Sequence, residues 1–183
     1  MVSCICSSSS PFETISALLS SLNGCTDTRT FKTSFQIHID KSKQTSPVYA
    51  FTFCDVNVSA LVHDRTIIHG SPNLLNTVRK ARLRFGSFEE RPLFNLEGTT
   101  YNIGDFIVNI CRYQKQCLVE VQYYPLSVYL PTTQQVLQEF IDSLAQHIHL
   151  SPMLLPFSSE YSLEVHHGIK HRTFLYLNKI TGQ

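Results

Sequence analysis

From Phe31 to Asp40 apolar and polar side chains take turns. Phe31, Phe35, Ile37 and Ile39 fall on one side of the chain, and Lys32, Ser34, Gln36, His38 and Asp40 on the other. A period of two suits a strand and not a helix. It also gives that strand one dry and one wet face, the habit of antiparallel sheets. A dry face has to be covered by another layer, so this run alone commits the chain to a layered fold.

Neighbouring segments extend the pattern. Val2–Cys6, Tyr49–Asp55, Val58–His63 and Thr66–His69 read as short strands, with turns at Val56-Asn57 and Asp64-Arg65. Tyr101–Tyr113 and Leu118–Tyr124 are the strongest strands of the second half, joined by the polar turn Gln114-Lys115-Gln116; Leu126–Leu130 reads as one more. Phe88–Glu97 contains Pro92 and makes an edge strand at best.

Four segments carry helical spacing. In Ser10-Pro11-Phe12-Glu13 the serine suits a cap, the proline a first helical position and Glu13 the far side of a capping box. Ile15, Leu18, Leu19 and Leu22 continue that helix to a stop at Gly24. Asn73–Phe85 shows a stripe of Leu74, Val78, Ala81 and Phe85. Thr132–His149 is the best helix, with Val136, Leu137, Phe140, Ile141, Leu144 and Ile148 along one side, and Thr173–Ile180 reads as a last short one. Lys41–Pro47 and the stretch holding Pro152 and Pro156 read as loops. The strands come in hairpins and outnumber what one flat sheet holds comfortably. The expected fold is α+β: a single antiparallel β-barrel-like sheet that curls or closes, with helices packed on the outside.

The chain has 183 residues, and no composition break marks a linker, so residues 1–183 are expected to form a single domain. Hydrophobic residues make up 43% and charged residues only 16%, which excludes disorder as the main state and favours a surface that lives against partners. Fifteen basic against fourteen acidic residues leave a net charge of +1, too little for electrostatic binding of nucleic acid without a local patch. No apolar stretch is long enough to span a membrane, and Met1–Ser10 lacks the basic start of a secretory signal. An intracellular chain with six reduced cysteines is the expectation.

Chemistry-bearing clusters are sparse. Cys4 and Cys6 face the same way on a strand, but Cys25, Cys54, Cys111 and Cys117 add no zinc-knuckle spacing, so packing is the expected role. His147 and His149 diverge on a helix; His166, His167 and His171 lie close together without a carboxylate or cysteine pair to complete a ligand set. There is no nucleophile elbow and no glycine-rich phosphate loop. A barrel that hydrolyses triphosphates through bound cations needs alternating glutamates on a strand, and Glu89, Glu90, Glu97 and Glu120 are not so spaced. No catalytic residue, cofactor or metal is expected. Arg79, Lys80, Arg82 and Arg84 make the only basic run, read as a solvated helix face or a partner face. Tyr123, Tyr124 and Tyr129 cluster around Pro125, and some must point out of the sheet.

One stretch carries a resemblance. Glu97-Gly98-Thr99-Thr100-Tyr101-Asn102-Ile103-Gly104-Asp105-Phe106-Ile107-Val108 resembles the Gly-x-x-Tyr-x-x-x-Asp-Phe-x-Val segment of the Mediator subunit 20 family, also called the TATA-binding-protein-related factor family. Val119–Tyr123 resembles that family's next strand, Leu137, Glu139 and Phe140 its following helix, and Leu177-Asn178-Lys179-Ile180 its terminal Phe-Asn-Lys-Ile, with Leu177 in place of the phenylalanine. The first half agrees only in pattern. The resemblance implies a non-enzymatic subunit of the Mediator head module that regulates transcription by RNA polymerase II in the nucleus. It implies a heterodimer with Mediator subunit 18, tethered by the C-terminal segment of Mediator subunit 8, with no membrane and no direct nucleic-acid contact. On this reading Tyr124, Leu126, Val128 and Tyr129 are the expected partner-binding residues. The alternative is a DNA-binding module like the TATA-binding protein, because the first half mimics the strand and helix order of one repeat of that fold.

Overall fold

Backbone pairing turns the alternating runs into antiparallel sheet. The computed structural model describes residues 1–40, 47–85, 88–90, 94–126, 128, 130–155, 163 and 168–182. In chain order the elements are β1 (Val2–Ser8), α1 (Phe12–Ser21), β2 (Cys25–Asp40), β3 (Val48–Phe53), β4 (Val58–His63), β5 (Thr66–Gly70), α2 (Asn73–Phe85), β6 (Phe88–Glu90), β7 (Phe94–Ile103), β8 (Phe106–Tyr113), β9 (Gln116–Tyr123), α3 (Pro131–Ala145) and α4 (Ile169–Thr181). The class is α+β with antiparallel pairing, as the sequence predicts. The chain divides into two compact units. One takes Met1–Phe31 and the described residues from Glu97 onward, and the other the described residues of Lys32–Leu96.

In the first unit the strands run in the order β1-β9-β8-β7-β2. Register puts Cys4 opposite Val121 and Cys6 opposite Val119, so these four share one face. That face is dry, and α1 and α3 cover it with Ile15, Leu19, Leu137, Ile141 and Leu144. Ile5 lies opposite Glu120 on the other face, where α4 packs with His171 to Leu177 buried. Free edge groups of β1 are taken up by the chain itself: Leu154 N–H donates to the Ile5 carbonyl at 2.9 Å, and Ile5 N–H returns a bond at 3.2 Å.

In the second unit the order is β2-β3-β4-β5, with β6 also pairing β2. Leu74, Leu75 and Val78 of α2 pack on Val48, Ala50 and Leu61. The opposite face carries a phenylalanine stack, Phe35 on Phe51 at 5.5 Å and on Phe94 at 5.3 Å. Asp64 and Arg65 both take positive φ, 44° and 66°, the conformation that a two-residue hairpin turn needs.

Several expectations need correcting. Tyr101–Tyr113 is not one strand: it breaks at Gly104-Asp105, where Gly104 turns with φ 56° and Ile103 pairs back on Phe106. The capping box at Ser10 does not form, because the Ser10 hydroxyl accepts the His149 N–H at 3.1 Å and Glu13 pairs with Arg112. Pro11 becomes the cap residue instead. β2 starts at Cys25, earlier than its apolar alternation shows, and α4 starts at Ile169. The strand expected over Leu126–Leu130 reduces, among the described residues, to a lone bridge at Val128. Ala81 and Phe85 lie in α2, but their side chains fall outside the described residues, as do Lys41–Ser46, Pro92 and Pro156.

Candidate partner-binding surface

The end of β9 in the first unit gathers exposed apolar groups. Neighbours on a strand face opposite ways, so Tyr123 and Tyr124 part company here. Tyr123 packs on Phe106 at 5.3 Å, and Phe106 in turn stacks on Phe140 of α3 at 4.1 Å. Tyr124 points outward and is 68% exposed, although its N–H is held by the Asp105 carbonyl at 3.0 Å. Leu126 is 38% exposed, Val128 is half-buried, and Tyr129 lies outside the described residues.

Two apolar residues that the sequence reading missed join this region. Leu130 is 45% exposed at the entry to α3, where its carbonyl accepts the Gln134 N–H at 3.0 Å. Met1 is 36% exposed, one residue beyond the last β1–β9 pair, Val2 with Tyr123. Nothing local in the sequence marks Met1, because only the β1–β9 register brings it to this end of the sheet. The result is an apolar rim anchored on packed aromatics, the composition favoured at protein interfaces.

A buried polar cluster of the first unit lies on the α4 face. Glu120 is fully buried, and Arg172 grips it through Nε at 2.7 Å and a terminal nitrogen at 2.9 Å. Asn109 Nδ2 donates to the same carboxylate at 2.8 Å and Tyr176 Oη at 3.1 Å. Thr100 donates to Asn109 Oδ1 at 2.6 Å, and the guanidinium lies over the Phe31 and Tyr176 rings. Burial and then the Glu120 charge raise the Tyr176 hydroxyl well above the usual tyrosine range. Burial first, then the same charge, pushes the Cys111 thiol up to about 12. Every oxygen of Glu120 is thus committed to this chain's own donors.

Cys4 and Cys6 are both buried on β1, and burial pushes Cys6 up to about 11. His171 Nδ1 accepts the Gly168 N–H at 3.1 Å and so caps α4. His166 and His167 lie outside the described residues. Among the described residues no three His, Cys, Asp or Glu side chains gather where they could hold a metal ion, and no helix is long and apolar enough to cross a membrane.

No protein-family model matches the sequence, and no curated protein matches it significantly. Solved structures do share the fold. A chain of the Schizosaccharomyces pombe Mediator head module is 11% identical with a TM-score of 0.52, over 84% of this chain and 100% of that one. The PH1012 protein of Pyrococcus horikoshii OT3 is 9% identical with a TM-score of 0.53, over 80% of this chain and 94% of that one. A Vibrio parahaemolyticus protein named as a candidate adenylate cyclase is 8% identical with a TM-score of 0.52, over 82% of this chain and 90% of that one. At these identities the likeness is one of fold.

Proposed function

We propose that this chain is a non-enzymatic subunit of a Mediator head module. In that role it pairs directly with Mediator subunit 18, is tethered through the C-terminal segment of subunit 8, and helps to regulate RNA polymerase II transcription in the nucleus. The observation that carries the reading is the fold shared with the whole of a fission-yeast Mediator head chain, together with four family-like motifs in the same order along this sequence.

The same fold occurs in a candidate cyclase, so the choice between enzyme and interaction subunit rests on this chain's own residues. Cation-dependent phosphate chemistry on this sheet would need acidic side chains free to take a metal ion. Glu120 is the buried acid of the α4 face, and Arg172, Tyr176 and Asn109 already satisfy it. That supports a structural role for the carboxylate. The surface we assign to the partner is the rim of exposed Tyr124, Leu126 and Leu130 with half-buried Val128, and Tyr129, outside the described residues, is expected to belong to it. The DNA-binding alternative is less well supported. β1 pairs with β9 from the far half of the chain, so the first half does not close into a repeat of its own.

The test is co-expression with subunit 18 of the same organism, followed by size-exclusion chromatography. A one-to-one complex that survives high salt is the expected result, since an apolar contact is little screened. A lone monomer that ignores subunit 18 overturns the reading. Manganese-dependent release of phosphate from triphosphate, or a salt-sensitive DNA shift at about 50 mM salt, would replace it with one of the alternatives.

A further inference from the structure

Ser-Pro dipeptides recur in this chain at Ser10, Ser46, Ser71 and Ser151, so half of its eight prolines follow a serine. The fold treats these serines differently. Ser10 is half-buried, and its hydroxyl accepts the His149 N–H at 3.1 Å. Ser151 is half-buried too, and its hydroxyl accepts the Ser7 N–H at 2.8 Å and Lys179 Nζ at 3.1 Å. Ser46 lies outside the described residues. Ser71 stands exposed in the short link between β5 and α2, and no described residue takes up its hydroxyl. Its carbonyl accepts the Leu74 N–H at 2.9 Å, so the backbone is anchored while the side chain is left to water.

Pro72 decides what can recognise this serine. A residue before proline is kept extended, the form in which a protein kinase holds its acceptor. Pro72 has no N–H to offer, so only a cleft that asks for none after the acceptor fits. Leu74 stands three positions after Ser71, so no cation is there to be read. The link lies between a strand end and the first turn of a helix, where local opening costs least. We propose that Ser71 is a phosphorylation site for a protein kinase that requires proline after the acceptor and no basic residue behind it. Ser71 Oγ attacks the γ-phosphorus of magnesium-bound ATP. The new O–P bond forms as the β–γ bridge breaks, ADP leaves, and the hydroxyl proton passes to the kinase's catalytic carboxylate. The folded chain can keep the product: no acidic residue occurs from Ser71 to Ser87 to repel the phosphate, and the start of a helix favours negative charge.

The test is the full chain, folded, with magnesium ATP and a purified mitogen-activated protein kinase, a type that requires proline alone after the acceptor. Sites are assigned by fragment mass spectrometry. Ser46→Ala serves as the starting chain, so that serine contributes nothing to the count. One phosphate per chain on Ser71 is expected, and Ser71→Ala should abolish it. Pro72→Ala leaves the hydroxyl in place and should slow labelling about tenfold. Absence of phosphate on Ser71, equal labelling of Ser10 or Ser151, or unchanged labelling of Pro72→Ala overturns the proposal. So does labelling of Ser71 only after the chain is unfolded by heat, because the site is then hidden in the fold. Subunit 18 takes no part in the assay, so failure here leaves the Mediator reading untouched.

Discussion

Gly98 shows how far one residue can be constrained by its neighbours across a sheet. A Cβ built on it would lie 1.7 Å from the Ile110 carbonyl oxygen and 2.8 Å from the Cys111 Cα. Both are backbone atoms of β8, so no rotamer can relieve the clash, and the glycine of the Gly-x-x-Tyr motif acquires a physical reason. Gly98→Ala should cost about 3 kcal/mol or more, on the scale of strained backbone substitutions, read as a lower denaturant midpoint. Glu120 is constrained by charge. Arg172→Met leaves a buried carboxylate without its cation and should cost about 3–5 kcal/mol. Adding Glu120→Leu should recover part of that loss in a double-mutant cycle, because no bare charge then remains. A single mutant as stable as the parent would mean that solvent reaches Glu120. The glutamate was visible in the sequence as a lone acid in an apolar strand, but its partner was not, since Arg172 lies 52 positions away in a helix that only folding brings across.

At the scale of elements, β1 and β8 carry thiols whose titration is displaced. Burial, as the first cause, raises Cys4 well above its ordinary value of 9.0, Cys6 to about 11 and Cys111 to about 12. Each holds its proton more tightly in the folded than in the unfolded chain. Their contribution to stability is therefore intact below about pH 9 and is lost as pH climbs through 11 and 12. Lys179, lowered by burial, works in the opposite sense toward 10.5, but it is one half-buried group against three buried thiols. The melting temperature in reducing buffer should be level from neutral pH to about 9 and then fall. A level curve to pH 11 would place these thiols in contact with water. The strands themselves were legible wherever alternation was clean or a two-residue polar turn intervened, as at Asp64-Arg65. They were misread where a turn hid in apolar sequence: Gly104-Asp105 sits between Ile103 and Phe106, and no polar run announces it.

For the whole molecule the question is whether it unfolds and binds as one body. β2 and β7 each contribute residues to both compact units, and we propose from this continuity that 1–183 behaves as a single cooperative domain. One calorimetric transition is expected; two separated transitions would make the units independent domains. Tyr124→Asp and Leu126→Asp change exposed side chains and should shift stability by no more than about 0.5 kcal/mol. If the rim at the end of β9 is the partner surface, the same changes should weaken pairing with subunit 18 about tenfold or more. Unchanged affinity would move the interface elsewhere on the chain. The exposure of Tyr124 could be picked from sequence because neighbouring tyrosines beside Pro125 cannot all be buried, whereas Val128 is half-buried and Tyr129 lies outside the described residues. That of Leu130 and Met1 could not, since it depends on which strand end they adjoin.

The sequence by itself determined the antiparallel α+β class, most strand and helix positions and the lack of a recognisable catalytic motif. Those properties are written in local period, turn chemistry and composition, which act over a few residues. Only the tertiary structure decided that β1 pairs with β9, that α4 lies against Glu120, and that, among the described residues, β5 is the last strand of its sheet. Pairing partners and open edges depend on contacts between segments far apart in the chain, and no local pattern encodes which dry face meets which.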